Sequence, residues 1–174
     1  MNHYSAGILF GLTVGVLAGL LFVMFLFKKR VLDTHFDERQ ERARGKAFQY
    51  AFSSLAISAY AYGVSDLVLG TWCDVLAGVS LCLALSICVF AVTCILKDAY
   101  LSLREKPRTV MTLFTLLTLA NLGFGGVYAA SGGLVENGVL TFRAVNPIIG
   151  VATLVILIVY IVNHLLRNRE EEAE

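Results

Sequence analysis

Five long apolar segments alternate with shorter polar ones along this chain. A bilayer core of about 30 Å requires roughly 20 helical residues, and by that measure the chain has five transmembrane spans, at about residues 6–27, 47–69, 75–96, 109–130 and 146–166. The pattern predicts an all-α integral membrane helical bundle. We expect a single domain, residues 1–174, because no shift in composition and no linker separates a second one. The first span is longer than the core of a signal peptide and no basic residue precedes it, so we expect it to remain uncleaved.

The basic residues lie almost entirely on one side of these spans. Thirteen of the fourteen Lys and Arg residues fall in the connectors 28–46 and 97–108 or in the C-terminal tail, whereas Arg143 falls on the opposite side. Because basic connectors stay in the cytosol, the N-terminus is predicted to be outside and the C-terminus cytosolic. With 57% hydrophobic and 16% charged residues, the chain is too apolar for an ordinary soluble domain. The lipid bilayer is therefore its first expected partner.

Two rows of small residues predict close helix packing. The first row is Gly7, Gly11, Gly15 and Gly19; the second is Gly78, Cys82 and Ser86. A repeat of four forms a slowly winding groove on a helix, and in lipid such grooves let two backbones approach closely. The glycine row is expected to pack against another helix of the same chain, with the second row as a candidate, or against a second copy in a homo-oligomer.

The connector 28–46 is predicted to end in a helix that continues into the second span. Thr34 or Asp37 could cap this helix, and Asp37 is followed three residues later by Gln40, as in a capping box. The pairs Glu38/Arg42 and Glu41/Arg44 have helical spacing. Acidic residues interleave with the basic ones, so nucleic-acid binding is not expected. Either the connector only orients and solubilises the protein, or it docks a protein partner. The candidate partner-binding residues are Asp37, Glu38, Arg39, Glu41, Arg42, Arg44 and Lys46.

The run FDERQERARGKAF, from Phe36 to Phe48, resembles a motif in uncharacterised small multi-pass membrane proteins of Gram-positive bacteria. In those proteins FDERQ is followed by RGKA and an apolar helix. The resemblance covers residues 36–52 and implies a bacterial plasma membrane location. It implies no activity and assigns no functional residue.

Two polar residues fall inside predicted spans. Asp66 lies about 28 Å along the helix from Ala47, so it is interpreted as an interfacial or capping residue, with an interhelical hydrogen bond or proton coupling as alternatives. Asn121 lies near the middle of the fourth span, where an amide is expected to bridge two helices or to contact a substrate.

Three connecting features complete the predicted topology. The second cytosolic connector, beginning at Lys97, is expected to form a short interfacial helix before Pro107. Asn137-Gly138 between apolar runs predicts a tight hairpin. Cys73 is expected to face outward, whereas the other three cysteines point in three directions within the third span, so no metal site is predicted.

The sequence contains none of the motifs that carry common catalytic chemistry. It has no G-x-S-x-G, no H-E-x-x-H and no phosphate-binding glycine loop, so neither an enzyme nor a cofactor is expected. The leading hypothesis is a non-catalytic accessory, regulatory or interaction subunit that works through helix packing and the charged connector. The alternative is a component of a small oligomeric transporter or channel.

Overall fold

A computed structural model describes residues 36–102 and 107–171, together with residues 13, 14, 17–19, 21, 24, 25 and 28. These last residues are helical and exposed. The predicted first span and its glycine row therefore lie mainly outside the described residues, and this applies to Gly7, Gly11 and Gly15. Gly19 is described, and a Cβ atom placed there would meet nothing within 4 Å.

Residues 36–102 and 107–171 fold into four long helices. They are α1 (Glu38–Leu69), α2 (Val75–Leu96), α3 (Pro107–Ala130) and α4 (Val145–Glu171). All four are long and apolar enough to cross a membrane, in agreement with the last four predicted spans. Helix α1 is the longest, with 32 residues, because its polar first turns run without a break into its apolar part, as the sequence predicted.

Helices α2 and α4 form the centre of this bundle. Helix α1 packs on α2, α2 on α4, and α4 on α3. Successive helices run in opposite directions, so α1 begins at the end of the bundle where α2 and α4 end. We call this end of the bundle the Gln40 end. The opposite end, where α1 ends and α2 and α4 begin, is called the Trp72 end.

Small residues set the distances between the helices. Ala47 and Ala51 of α1 are buried against α2, and a Cβ atom at Gly125 of α3 would lie 2.8 Å from the Cβ of Pro147 in α4. At Gly150 of α4, an added Cβ would lie 2.7 Å from a methyl carbon of Leu122. The described bundle therefore gains its packing from close backbone approach, as expected for helices that associate in lipid.

A two-stranded ribbon closes the Trp72 end. Strands β1 (Val135–Glu136) and β2 (Val139–Leu140) pair antiparallel. Asn137 and Gly138 between them have φ angles of 52° and 81°, the conformation of a type I′ turn. The predicted hairpin is confirmed. A 3₁₀ helix, Phe142–Ala144, then leads directly into α4.

The connector after α2 is not the interfacial helix that we expected, at least as far as Ser102, where its description stops. Helix α2 ends in a Schellman motif: the Ala99 N–H donates to Cys94 O at 2.8 Å, and the Asp98 N–H to Ile95 O at 3.1 Å. Asp98 takes the left-handed conformation, with φ 53°, that glycine usually supplies. Because the chain reverses at this residue, the helix cannot continue.

Candidate interaction surface at the start of helix α1

The first turn of α1 is fixed by a capping box. The Gln40 N–H donates to Asp37 Oδ1 at 2.6 Å, and the Asp37 N–H donates to Gln40 Oε1 at 3.2 Å. These bonds satisfy N–H groups that have no partner within a helix. The predicted capping box is confirmed, and it sets the point at which α1 begins.

Gln40 also ties α1 to the connector after α2. Its Nε2 donates to Asp98 O at 2.8 Å and to Leu101 O at 3.3 Å. The side chain is buried, with 6% of the residue exposed. One amide thus serves both the cap of α1 and two connector carbonyls.

Arg44, one turn further along α1, binds the same connector. Its Nη1 donates to Ala99 O at 3.0 Å, and its guanidinium lies 4.0 Å from the ring centroid of Phe36 and 5.3 Å from that of Phe90. A cation at the C-terminal end of α2 also complements the dipole of that helix. The predicted pairing of Arg44 with Glu41 is wrong, because the guanidinium points to Ala99 instead.

Helix α4 holds the connector from the other side. Arg167 forms an ion pair with Asp98 of the connector, and Asn163 Nδ2 donates to Ile95 O in the last turn of α2 at 3.4 Å. We call Gln40, Arg44, Asn163 and Arg167 the connector clamp. Together they join α1 and α4 through the turn at Asp98.

The remaining charged residues of this helix segment point away from the bundle. Gln40, Arg44, Ala47 and Ala51 follow helical spacing along the face toward α2 and the connector. The exposed charged residues of α1 in this segment are Glu38, Arg39, Glu41, Arg42 and Lys46, which we call the charged face. Glu38 and Arg42 form the predicted ion pair at 2.6 Å, with about 80% of each side chain exposed, so its contribution to stability is small.

The structure thus divides the seven candidate partner-binding residues. Asp37 and Arg44 are engaged within the chain, whereas no side chain of the five residues of the charged face forms an ion pair with another element in the described ranges. The clamp contacts were not predicted, because the sequence gives no sign that Gln40 and Arg44 share a target far along the chain.

The row Gly78, Cys82 and Ser86 lies against α1. A Cβ atom at Gly78 would come within 2.3 Å of the Tyr62 ring, Cys82 is buried, and the Ser86 hydroxyl donates to Ala51 O at 2.8 Å. Within the described residues this row therefore contacts α1 rather than the segment that carries the glycine row.

The two polar residues that were predicted to lie inside spans have different surroundings. Asp66 lies in the last turn of α1, and its Oδ1 is buried without a hydrogen-bond partner among the described residues. Asn121 was expected to bridge helices, but its Nδ2 donates to Leu117 O of its own helix at 2.8 Å. The bond between α3 and α4 is made instead by the hydroxyls of Thr118 and Thr153, 2.8 Å apart. The sequence did not reveal this bond, since the partner of a threonine depends on helix rotation.

Cys73 at the Trp72 end does not face outward as expected. It is 1% exposed, and its carbonyl accepts a hydrogen bond from the Tyr62 hydroxyl at 3.2 Å. Burial, together with the neighbouring Asp74 carboxylate, raises the pKa of its thiol. The ribbon covers this residue, because Leu140 pairs with the backbone of Trp72 and Asp74.

Within the described residues, no three His, Cys, Asp or Glu side chains lie together as metal ligands would. Comparison of the chain with protein-family models, with curated proteins and with solved structures found no match. The function therefore has to be inferred from the charged face and from the helices that carry it.

Proposed function

We propose that this chain is an integral membrane protein of the bacterial plasma membrane with five spans, an outer N-terminus and a cytosolic C-terminus. Four helices of spanning length support the multi-pass part of this proposal. The distribution of thirteen of its fourteen basic residues on one side supports the orientation. The motif from Phe36 to Phe48, through its resemblance to Gram-positive membrane proteins, supports the location. In this orientation the Gln40 end is cytosolic.

Its role is that of a non-catalytic accessory, regulatory or interaction subunit whose charged face docks a protein partner. The observation that carries this proposal is the division of α1 at its start. One side, with Gln40 and Arg44, is fixed to the bundle, and the opposite side presents five exposed charges on a rigid helix. Because the helix is already ordered, a partner that binds there does not bear the entropy cost of ordering a loop.

Charge reversal on one side of the charged face tests this proposal. Arg39 and Lys46 are exposed and lie on the same side of the helix, so Arg39→Glu with Lys46→Glu should abolish the recovery of partner proteins cross-linked in native membranes and extracted in mild detergent. The matched control is Arg108→Glu with Arg169→Glu, which changes the net charge by the same amount at exposed positions on α3 and α4. Equal recovery of partners with both double variants would contradict the proposal.

The alternative function is a component of an oligomeric transporter or channel. Asp66 favours it, because a buried carboxylate oxygen without a partner in a span is often functional. The groove of about 480 Å³ between α2, α3 and α4 has mostly apolar walls, such as Leu83, Phe114 and Ile156, so one copy offers little polar path there. Proton flux in liposomes that Asp66→Asn abolishes, together with recovery of the protein without partners, would establish the alternative.

A further inference from the structure

Helix α1 has a second face that no described part of the chain covers. It lies on the side away from α2, and its residues recur at alternating spacings of four and three. They are Gly45, Gln49, Phe52, Ala56, Ala59 and Gly63, all of them exposed. We call this face the α1 seam. A repeat of 3.5 residues keeps one face of a helix against another helix along its whole length.

Packing within the described chain does not require the two glycines of the α1 seam. A Cβ atom at Gly45 or at Gly63 would meet nothing within 4 Å. Both lie inside α1, where glycine is among the least favourable residues. Close approach by the backbone of a helix from outside would account for them.

We propose that a second copy of this chain covers the α1 seam, with the two α1 helices parallel about a two-fold axis along the membrane normal. The inference rests on the proposed function, because it requires every copy to cross the membrane in the same direction. Such an axis places each residue of the α1 seam at the same depth in the membrane as its counterpart. Gly63 therefore meets Gly63 of the second copy, and Gln49 meets Gln49 of the second copy. The Gln49 amide makes no hydrogen bond within the described residues and can exchange one with its counterpart.

The charges beside the α1 seam complement each other in this arrangement. Glu41 and Lys46 flank it on opposite sides near Gly45, and both are exposed. Across two parallel helices, flanking residues five positions apart face each other, so Glu41 of each copy lies opposite Lys46 of the other. Neither forms an ion pair within the described part of the chain, where the pairs involve other residues. An antiparallel helix pair would not bring these two residues together.

Disulfide cross-linking in native membranes tests the arrangement. Ala56 lies on the α1 seam, and Ile57 is its neighbour at the same depth, about 100° around the helix; both are exposed. Oxidation in air with copper phenanthroline should convert Ala56→Cys to a disulfide-linked dimer and leave Ile57→Cys monomeric. Wild type is the blank, because its four cysteines are buried or half-buried. Equal cross-linking of both variants, or none with Ala56→Cys, would overturn the inference.

A second measurement avoids introduced thiols. Ala59→Leu with Gly63→Leu fills the α1 seam at two exposed positions, and a Cβ at Gly63 meets nothing within 4 Å, so each copy should fold as before. Energy transfer between labelled copies diluted in liposomes should show association weakened by about tenfold or more, since the backbones can no longer approach closely. Unchanged association would overturn the inference. So would a cross-link within one chain between Gly19→Cys and Ala56→Cys, which would put the glycine row on the seam.

The outcomes for the dimer and for the proposed function are separable, although both involve Lys46, because the cross-link of Ala56→Cys is measured with Lys46 unchanged. If Ala56→Cys gives no dimer but reversal of Arg39 and Lys46 still removes the partner, the second-copy inference fails and the proposed function stands. If the dimer forms but neither double charge reversal changes partner recovery, the proposed function fails at its docking step.

Discussion

The two ends of the bundle are closed by different means. At the Trp72 end, backbone pairs with backbone, because Leu140 N–H donates to Trp72 O and Leu140 O accepts from Asp74 N–H. At the Gln40 end, side chains of α1 reach carbonyls of the connector, and side chains of α4 reach Asp98 and the last turn of α2. Both ends solve the same problem, which is that buried carbonyls and N–H groups need partners.

The difference explains why one end is a candidate for recognition and the other is not. Backbone pairing at the Trp72 end needs few charged side chains, and Arg143 there pairs with Glu136 of the ribbon. The clamp at the Gln40 end needs a polar helix that extends beyond the apolar span. The clamp residues of α1 lie on one side of this helical extension, and the charged face lies on the other side. Because the clamp fixes the helix, it also fixes the orientation of the charged face.

The largest expected effect lies at the Trp72 end, with Gly78→Ala. The new Cβ would lie 2.3 Å from the Tyr62 ring. The hydroxyl of this ring donates to Cys73 O, and the ring packs nearly perpendicular to that of Trp72 at a centroid distance of 5.9 Å. Displacing this ring should lower the free energy of unfolding by about 3 kcal/mol. Fluorescence of Trp72, the single tryptophan, during unfolding in detergent measures this. Gly126→Ala, where a Cβ meets nothing within 4 Å, is the control and should cost nothing. Equal stability of the two variants would contradict the packing.

A smaller loss is expected at the Gln40 end from Gln40→Leu. It leaves the Asp98 and Leu101 carbonyls without their donor and removes half of the capping box, at a cost of about 2 kcal/mol. Hydrogen exchange at residues 97–99 should accelerate, whereas exchange in the ribbon should not change. Arg39→Leu, at the neighbouring exposed position, should leave both unchanged. Faster hydrogen exchange at both ends of the bundle in the Gln40→Leu variant would contradict the independence of the two ends.

The smallest effect is expected from Arg167→Gln. The ion pair with Asp98 is about half exposed, so its loss should cost no more than about 0.5 kcal/mol and should vanish at high salt. Unfolding measured at low and high ionic strength, with exposed Arg169→Gln as the control, checks this. A loss as large as that of Gln40→Leu would mean that α4, rather than α1, holds the connector.

Features that depend on neighbouring residues could be predicted from the sequence. Asp37 with Gln40, and Asn137 with Gly138, carry their own hydrogen bonds or backbone preferences, and both predictions are confirmed. Apolar length likewise predicted α2 and α3 almost to the residue. In each case the cause lies within a few residues of the effect.

Features that depend on tertiary contacts could not be predicted. Asp98 replaces glycine in the Schellman motif because the clamp holds its turn from two sides. Cys73 is buried by Leu140, far along the chain, and Thr118 rather than Asn121 faces α4 because of helix rotation. For the segment that carries the charged face, the sequence predicted the helix and its capping box but not which of its charged residues point outward.

The unbroken length of α1 has a mechanical consequence. Its 32 residues form a rod of about 48 Å, with the charged face at one end and the Tyr62 and Trp72 contacts near the other. A tilt of about 5° around its midpoint would displace each end by about 2 Å, by the same rise per residue. A displacement of the charged face would therefore be transmitted to the Trp72 end of the bundle by one continuous helix.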